Sequence, residues 1–421
     1  MKERKTEVLV AGAGPAGLLT AILLAENGVE VQIIDREERT ASRSYACALH
    51  PRTLRLLHRL GLVEELLARG RRVESIAFYD GAERCAEVKM ESVGGEFPFL
   101  LVLPQSALEE LLEERLFQKS KTKVLWNHRL DGFENDDQAV VATVEKLGGT
   151  ATGYIVPHWQ TIVQKRFPIR AQFLLGADGH NSLVRERLGI EYESVGETQS
   201  FVACEFTSGS EVDDELRVVL DETTTNVLWP LPGNACRWTF QLIHSNGPND
   251  FPEKERRAMR AAEKVSNDNI RHNVERLAHS RAPWFSSQVD EILWCKQVFF
   301  ERRLARQFGK GRCWLIGDAA HQTGPVGVQS MNGGLAEAEQ LTTILHRILR
   351  ERKSLKGLEK YDRQRREEWR ELLGLSDGFK LDQQATPWIK RRASRILSCL
   401  PASGEDLKRL VNDLGQTPAY V

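Results

Sequence analysis

The stretch EVLVAGAGPAGLLTAILLAENGVEVQIID, from Glu7 to Asp35, decides the fold of this 421-residue chain. Residues 8–10 form an apolar run short enough for a buried strand, and residues 18–26 are helix formers that end at an Asn-Gly pair. A second β-branched run, residues 29–34, closes on the acid Asp35. The order of strand, glycine turn, helix, strand and acid predicts a βαβ unit.

The glycines of this turn are spaced for a dinucleotide. In the pattern G-x-G-x-x-G, Gly12 permits the tight turn, Gly14 lets the backbone approach a pyrophosphate, and Gly17 lets helix and strand pack closely. The helix N-terminus favours phosphate, and Asp35 stands about 20 residues further on, where an acid binds a ribose diol. A glycine-rich turn in an ordinary βαβ unit is the alternative. The signature alone does not separate NAD from FAD, because both share the ADP half.

Composition excludes several classes of protein. Lys plus Arg is 58 and Asp plus Glu is 59, so the net charge of −1 gives no electrostatic case for nucleic acid. Glycines interrupt the apolar residues 8–25, which argues against a membrane span or an export signal. The seven cysteines are scattered and form no CxxC pair. We therefore expect a cytoplasmic protein with reduced thiols and no metal site.

Two further turns combine glycine with an acid. FLLGADGHNS, residues 173–182, follows an apolar strand and carries Asp178 and Gly179; a tight turn in which Asp178 accepts local backbone bonds is an equal alternative. WLIGDAAHQTGPVGVQSMNGG, residues 314–334, places Gly317 and Asp318 after a third strand and leads into a helix. Asp318 is suited to accept from a ribitol or ribose hydroxyl, and the helix N-terminus suits an electron-rich ring or a phosphate.

Taken in order, GAGPAG, GADGHNS and GDAAHQTGPVGVQSMNGG resemble the three fingerprints of class A flavoprotein monooxygenases, the para-hydroxybenzoate hydroxylase family. The segments ALHPRTLRLLHRLGL (48–62) and LPQSALEELLEERL (103–116) support the resemblance. It implies an α/β fold with a Rossmann-like FAD-binding domain, an intergrown and mostly antiparallel sheet for the substrate, and a C-terminal helical region. The implied boundaries are residues 1–73, 99–182 and 298–350 for FAD, 74–98 and 183–297 for substrate, and 351–421 for the helices.

The resemblance assigns roles along the cofactor. The three glycines would hold the FAD pyrophosphate, Asp35 the adenosine ribose, and Asp318 the ribitol. Arg43 and Gln105 would lie along the cofactor, and Asp178 and Gly179 would serve FAD and the approach of NAD(P)H. Pro325, Gly327 and Asn332 would line the isoalloxazine. The full set of candidates is Gly12, Gly14, Pro15, Ala16, Gly17, Asp35, Arg36, Arg43, Gln105, Asp178, Gly179, Gly317, Asp318, Pro325, Gly327, Met331 and Asn332.

The third motif departs from the family pattern in three places. Val328 and Ser330 replace small or glycine positions, and Glu337 stands where the family usually has Asp. The extra carbons are expected to narrow the flavin seat or to restrict flavin movement.

The implied reaction consumes NAD(P)H and O2 and transfers one oxygen atom, through a flavin C4a-hydroperoxide, to an aromatic or polyketide-type molecule, most simply as a hydroxylation. The cofactor carries the bond making, so no metal is expected and no protein residue is a firm catalyst. Pro325 and Gly327 would line the flavin, and His321 is a candidate base for which a structural role is favoured. Two rival functions are a flavin-dependent halogenase and a flavin-binding protein without turnover.

The middle of the chain supplies the candidate substrate pocket. An Asp80-Gly81 hairpin and strand-like runs at 201–206, 216–220, 225–229 and 237–243 predict the antiparallel sheet. Phe201, Trp229, Trp238 and Phe240 are candidate pocket walls, with ordinary sheet core as the alternative for each.

Two segments and the assembly state stay open. Residues 147–170 are either an insertion that covers a pocket or an exposed loop. Residues 388–392 fit a surface helix better than a membrane-binding one. The chain is expected to act on a small molecule as a monomer or a homodimer.

Overall fold

The computed structural model describes residues 4–39, 48–136, 138–152, 158–209, 213–243, 267–286, 288–376 and 385–416. Strand β1 (Arg4–Ala11) pairs in parallel with β2 (Val31–Ile34) on one side and with β10 (His158–Gly176) on the other. β10 in turn pairs in parallel with β19 (Cys313–Leu315), and helix α1 (Pro15–Glu26) joins β1 to β2. Because these strands are parallel, their carboxyl ends meet at one edge of the sheet and bring the three glycine turns together.

An antiparallel hairpin extends this first sheet. β9 (Val140–Thr152) pairs with β10 from Ala171 to His158, and β8 (His128–Asn135) pairs with the other edge of β9. Within 147–170, which the sequence leaves open as an insertion or a loop, the described residues 147–152 and 158–170 are therefore strand. Its side chains at 161–166 are exposed. Near the base of the hairpin, the buried carboxylate of Glu145 forms ion pairs with Arg129 and Arg166.

The second sheet has the order β16-β12-β15-β14-β13-β5-β6. All of its pairings are antiparallel except that of β13 with β5. The hairpin at Asp80-Gly81 and the mostly antiparallel sheet are confirmed. The strands are β5 (Ser75–Asp80), β6 (Glu83–Lys89), β12 (Gln199–Ser208), β13 (Glu215–Leu220), β14 (Thr225–Pro230), β15 (Ala235–Leu242) and β16 (Val289–Phe300).

Short strands and helices connect the two sheets. The minor sheets have the orders β3-β7-β4 and β11-β17-β20, and β18 pairs with β19. These strands are β3 (Ala48–Leu49), β4 (Arg71–Val73), β7 (Leu100–Val102), β11 (Tyr192–Ser194), β17 (Arg303–Ala305), β18 (Gly309–Lys310) and β20 (His321–Gln322). The helices are α2 (Pro51–Arg59), α3 (Val63–Arg69), α4 (Gln105–Ser120), α5 (Leu183–Arg187), α6 (Asn267–Arg281), α7 (Gln329–Glu351), α8 (Lys356–Leu372), α9 (Pro387–Cys399) and α10 (Gly404–Gln416), with 3-10 turns at Met90–Val93 and Gly317–Ala319.

Apolar side chains form three cores. The first surrounds the parallel sheet and includes α1, α4, α7 and, from α8, Tyr361 and Trp369. The second lies between one face of the second sheet and helices α9 and α10, and it contains Trp229. The third lies between the opposite face and α6, and it contains Trp238 and Phe240. Alternation of side chains along adjacent strands separates Trp229 from Trp238 in this way.

The C-terminal helices dock against the rest of the protein. In α9, Ile389 is fully buried, and Arg392 donates to Leu220 O at 3.1 Å and pairs with Asp80 at 2.8 Å. The face with Ile389 and Arg392 is therefore occupied by the second sheet, which favours the packed helix over a membrane-binding one. No helix within the described ranges is both long and apolar enough to cross a membrane.

One cysteine pair corrects the sequence expectation of reduced thiols throughout. Cys204 on β12 and Cys295 on β16 stand directly opposite each other and are joined as a disulfide. The two residues lie 91 positions apart, so the pairing depends on strand register and has no sequence signature. Cys85, Cys236, Cys313 and Cys399 are free thiols.

Candidate functional site

Two adjoining cavities, of about 450 Å³ and 330 Å³, form one long groove at the carboxyl edge of the parallel sheet. Both are lined by Gly14, Gln105, Ala177 and Gly179, which makes the groove continuous. The larger cavity, here called the adenine end, is further lined by Gly12, Asp35, Arg36, Glu109, Trp126, His128, Arg129, Asp178 and Asn181. The smaller one, here called the ring end, is further lined by Pro15, Ala16, Gly17, Phe300, Gly317, Asp318, Gln322, Thr323, Pro325, Val328, Ser330 and Met331.

The three glycines of the first turn differ in what surrounds them. Gly12 has a φ of +106°, and a Cβ there would lie 2.1 Å from Ala177 O. A Cβ on Gly17 would lie 2.0 Å from Gly12 O. Around Gly14, which precedes α1, a Cβ would meet nothing within 4 Å. Gly12 and Gly17 thus serve close packing, whereas Gly14 leaves open space at a helix N-terminus, where phosphate binds.

Asp35 lies at the adenine end. Its carboxylate accepts from Ala13 N at 2.6 Å and from Glu37 N at 2.8 Å, which ties the end of β2 to the glycine turn. The acid lines the cavity, so its remaining lone pairs are available to a ribose hydroxyl.

Sequence reasoning missed one wall of the adenine end. Trp126 and His128 line it because Leu125 forms a parallel bridge with Ile34 beside Asp35. The Trp126 indole donates to Glu113 at 2.8 Å. The strand-like run at 124–130 was the available signal, but nothing local pairs it with β2.

The two carboxylate oxygens of Asp178 have different surroundings. Oδ2 accepts from Val184 N at 3.2 Å, beside Ser182, which caps α5 by accepting from Arg185 N at 3.0 Å. Oδ1 is buried and has no hydrogen-bond partner among the described residues. Burial raises the pKa of this carboxyl. The local-turn interpretation therefore accounts for Oδ2 but not for Oδ1.

The third motif presents Asp318 to the ring end. Asp318 is exposed and lines the groove, and desolvation by the surrounding protein raises the pKa of its carboxyl. Tyr192 Oη donates to Asp318 O at 3.0 Å, and Arg185 donates to Ala319 O at 2.9 Å. Arg185 follows the second motif, so the second and third motifs are held together directly.

Behind this turn lies a buried polar cluster. Glu337 accepts from Gly317 N and from His321 Nε2, both at 2.9 Å, and from Trp369 Nε1 at 2.6 Å. The His321 ring stacks on Trp369 with 3.6 Å between centroids. His321 and Glu337 are both fully buried. This geometry supports a structural role for His321 rather than that of a base, and Glu337 holds the turn that carries Asp318.

Two predicted ring-lining residues have other contacts. Asn332 is buried and bonds to His50 N, Thr53 Oγ1, Ala48 O and Val328 O, which fixes α7 to the start of α2. A Cβ on Gly327 would point at Ser398 O, 2.8 Å away. Both residues support the loop rather than lining the cavity. Ser330 also holds the loop, since its Oγ accepts from Thr323 N at 3.0 Å.

The four aromatic residues predicted as pocket walls also lie in different surroundings. Trp229 packs in the second core, and Trp238 and Phe240 pack in the third, which agrees with the alternative that they are ordinary sheet core. Phe201 makes an edge contact with Phe300 at 5.7 Å between centroids, and Phe300 lines the ring end. Arg43 lies outside the described residues.

The groove fits FAD. It is long and continuous, has open space at Gly14 for a pyrophosphate, offers Asp35 and Asp318 to hydroxyls at its two ends, and leaves Asp178 Oδ1 unpartnered beside it. Within the described part of the chain, no group of His, Cys, Asp and Glu is arranged to hold a metal ion.

Comparison with known proteins gives the same result. Residues 5–375 match the family model described as FAD binding domain. The chain is 30% identical over 352 residues to 6-methylpretetramide 4-monooxygenase of Streptomyces rimosus, covering 82% of this chain and 56% of that protein. It is 26% identical to para-nitrophenol 4-monooxygenase of Pseudomonas sp. strain WBC-3, covering 85% and 82%.

The fold is also that of a monooxygenase of known structure. The crystal structure of p-nitrophenol 4-monooxygenase PnpA from Pseudomonas putida DLL-E4 superposes with a TM-score of 0.73 at 23% identity, over 98% of this chain and 97% of that one. The chain spans little more than half of the Streptomyces relative but most of the para-nitrophenol enzymes. By its family match and its three assembled motifs, the chain belongs to the FAD-binding domain family of class A flavoprotein monooxygenases.

Proposed function

We propose that this protein is a FAD-dependent, NAD(P)H-consuming monooxygenase that inserts one oxygen atom from O2 into an aromatic or polyketide-type small molecule, most simply as a hydroxylation. The observation that carries the proposal is the continuous groove, in which all three motifs meet and whose ring end reaches the second sheet at Phe300. Two relatives that are named for 4-monooxygenation of an aromatic or a pretetramide support the substrate class.

The residues of the chain bind and orient the cofactor. The amides at Gly14 and the start of α1 would hold the pyrophosphate, which the partial positive charge of the helix would favour. Asp35 would accept from the adenosine ribose and Asp318 from the ribitol, and Glu337 fixes the turn of Asp318. When bound, FAD supplies hydride acceptance from NAD(P)H and activation of O2.

The walls of the ring end limit water. Phe300, Pro325, Val328 and Met331 contribute apolar surface there. An apolar site protects a reactive intermediate from hydrolysis and strengthens the electrostatic contacts inside it. We assign the substrate to the space beside Phe300, where the ring end meets the second sheet.

The test is a substrate screen on the purified, FAD-loaded protein, with NADH and NADPH each supplied without a separate reductase. Stimulated NAD(P)H consumption together with a product 16 mass units heavier is the expected result for at least one phenol or polycyclic polyketide. Chlorinated or brominated products would instead indicate a halogenase. A yellow protein with no stimulated consumption across the panel would indicate flavin binding without turnover.

A further inference from the structure

The loop at the ring end contains a residue in an unfavourable conformation. Val328, directly before α7, has φ 47° and ψ 35°. A β-branched side chain rarely adopts this left-handed region, because its Cβ crowds the backbone. The surroundings must therefore impose the conformation, and two separate sets of contacts do so.

The first set comes from the segment before α2 and from the first turn of α7. His50 Nε2 lies 3.0 Å from Gly327 O, and Asn332 Nδ2 donates to Val328 O at 2.8 Å. Burial lowers the pKa of His50 to about 3, so the ring is neutral and its Nε2–H donates to the carbonyl. The carbonyls of Gly327 and Val328, which precede and follow the Val328 N and Cα, are thus both held in place.

The second set comes from the end of α9. Gln329 Nε2 donates to Leu400 O at 3.1 Å, and a Cβ on Gly327 would come within 2.8 Å of Ser398 O. Val326 and Val328 share the second core with Leu400, which is fully buried. These C-terminal residues lie beyond the 5–375 range of the family match.

We propose that residues 398–400 act as a strap that positions the loop 326–329 and so completes the ring end of the FAD groove. In this arrangement the end of α9 with Leu400 is part of the cofactor seat, and Leu400 and Gln329 are positioning residues. The inference rests on the proposed function only in requiring that the groove binds FAD.

Two buried leucines provide a matched test. Leu400 and Leu410 are both fully buried in the second core, but Leu410 lies on α10, which packs on the Met90–Val93 turn and β6. Both alanine variants lose the same side-chain atoms. We expect Leu400→Ala to raise the FAD dissociation constant roughly tenfold and to change the visible spectrum of the bound flavin. Leu410→Ala should keep the wild-type spectrum and an affinity within about twofold.

A second pair covers the case in which Leu400→Ala fails to fold. Gln329→Leu removes the bond to Leu400 O and keeps the volume, whereas Thr342→Val removes a buried hydroxyl further along the same helix. Gln329→Leu should weaken FAD binding by roughly five- to tenfold, and Thr342→Val should not. If wild type binds FAD and all four variants match it in affinity and spectrum, the strap proposal is wrong. If wild type fails to bind FAD, the proposed function itself is wrong.

Discussion

The two ends of the groove are built on different principles. At the adenine end, one continuous stretch of 29 residues, Glu7 to Asp35, supplies the turn, the helix terminus and the acid. At the ring end, the loop 326–329 takes its shape from His50 and Leu400, which belong to two distant segments, and from Asn332 in the first turn of α7. A site dictated by backbone geometry is thus encoded locally, whereas a site that requires a strained backbone is held by tertiary contacts.

The largest effect is expected at the locally encoded end. Gly14→Val introduces carbons where the protein has open space, so the apoprotein should fold normally. The added carbons would occupy the pyrophosphate position, and the FAD dissociation constant should rise by at least roughly 100-fold. Gly132→Val is the control, since a Cβ there also meets nothing within 4 Å. Equal FAD affinity of both variants by fluorescence titration would contradict the assignment of the adenine end.

Removing Glu337 tests the buried cluster that holds the turn of Asp318 at the ring end. Glu337→Ala leaves Gly317 N, His321 and Trp369 without their common acceptor in a fully buried site. The free energy of unfolding should fall by about 3–5 kcal/mol, measured by denaturant titration. Glu339→Ala, two residues along on a partly exposed position paired with Arg59, should cost no more than about 1 kcal/mol. Similar losses for the two variants would remove Glu337 from its positioning role.

The ring end should also be sensitive to acid through His50. The pKa of a histidine is about 6.5 in the unfolded chain, and burial lowers that of His50 to about 3 in the folded protein. Between these values the unfolded chain takes up a proton that the folded protein does not, so stability falls as pH falls. The contribution approaches about 1.4 kcal/mol per pH unit. Subtracting the stability curve of His50→Gln from that of wild type over pH 4 to 6 isolates it, and a flat difference would contradict it.

At Val328 we expect a smaller effect on the free energy of unfolding, in which the usual stability order of alanine and glycine is reversed. Val328→Ala and Val328→Gly both lose the packing of the side chain, but only glycine adopts φ 47° without strain. The glycine variant should therefore be the more stable by about 1 kcal/mol, which is opposite to the usual order of these residues in regular structure. Denaturant unfolding of the two variants decides it. If alanine is the more stable, the backbone at Val328 is not strained.

The same contrast explains what sequence could predict. Gly12, Gly14, Gly17 and Asp35 could be predicted as site residues because the strand, turn, helix and acid that carry them are contiguous in sequence, and the structure places Gly12, Gly14 and Asp35 in the lining of the groove's adenine end and Gly17 in that of the ring end. The sheet at Asp80-Gly81 was found because alternation and turn residues are local signals.

Prediction failed or stopped where strand register or distant contacts decide the outcome. Trp229 and Trp238 face opposite cores because their strands alternate, which cannot be assigned before the pairing is known. Trp126 reaches the groove through a bridge between Leu125 and Ile34. Cys204 and Cys295 pair across 91 residues. Sequence identified Val328 as unusual, but its clamps come from elsewhere in the chain.

The most direct measurement compares FAD with its two halves. If the three motifs hold one molecule lengthwise, calorimetric titration of the flavin-free chain should show one FAD per chain, bound at least roughly 100-fold more tightly than either ADP or FMN. ADP binding as tightly as FAD would mean that only the first glycine turn is a ligand site. That result would contradict the continuous groove on which the account depends.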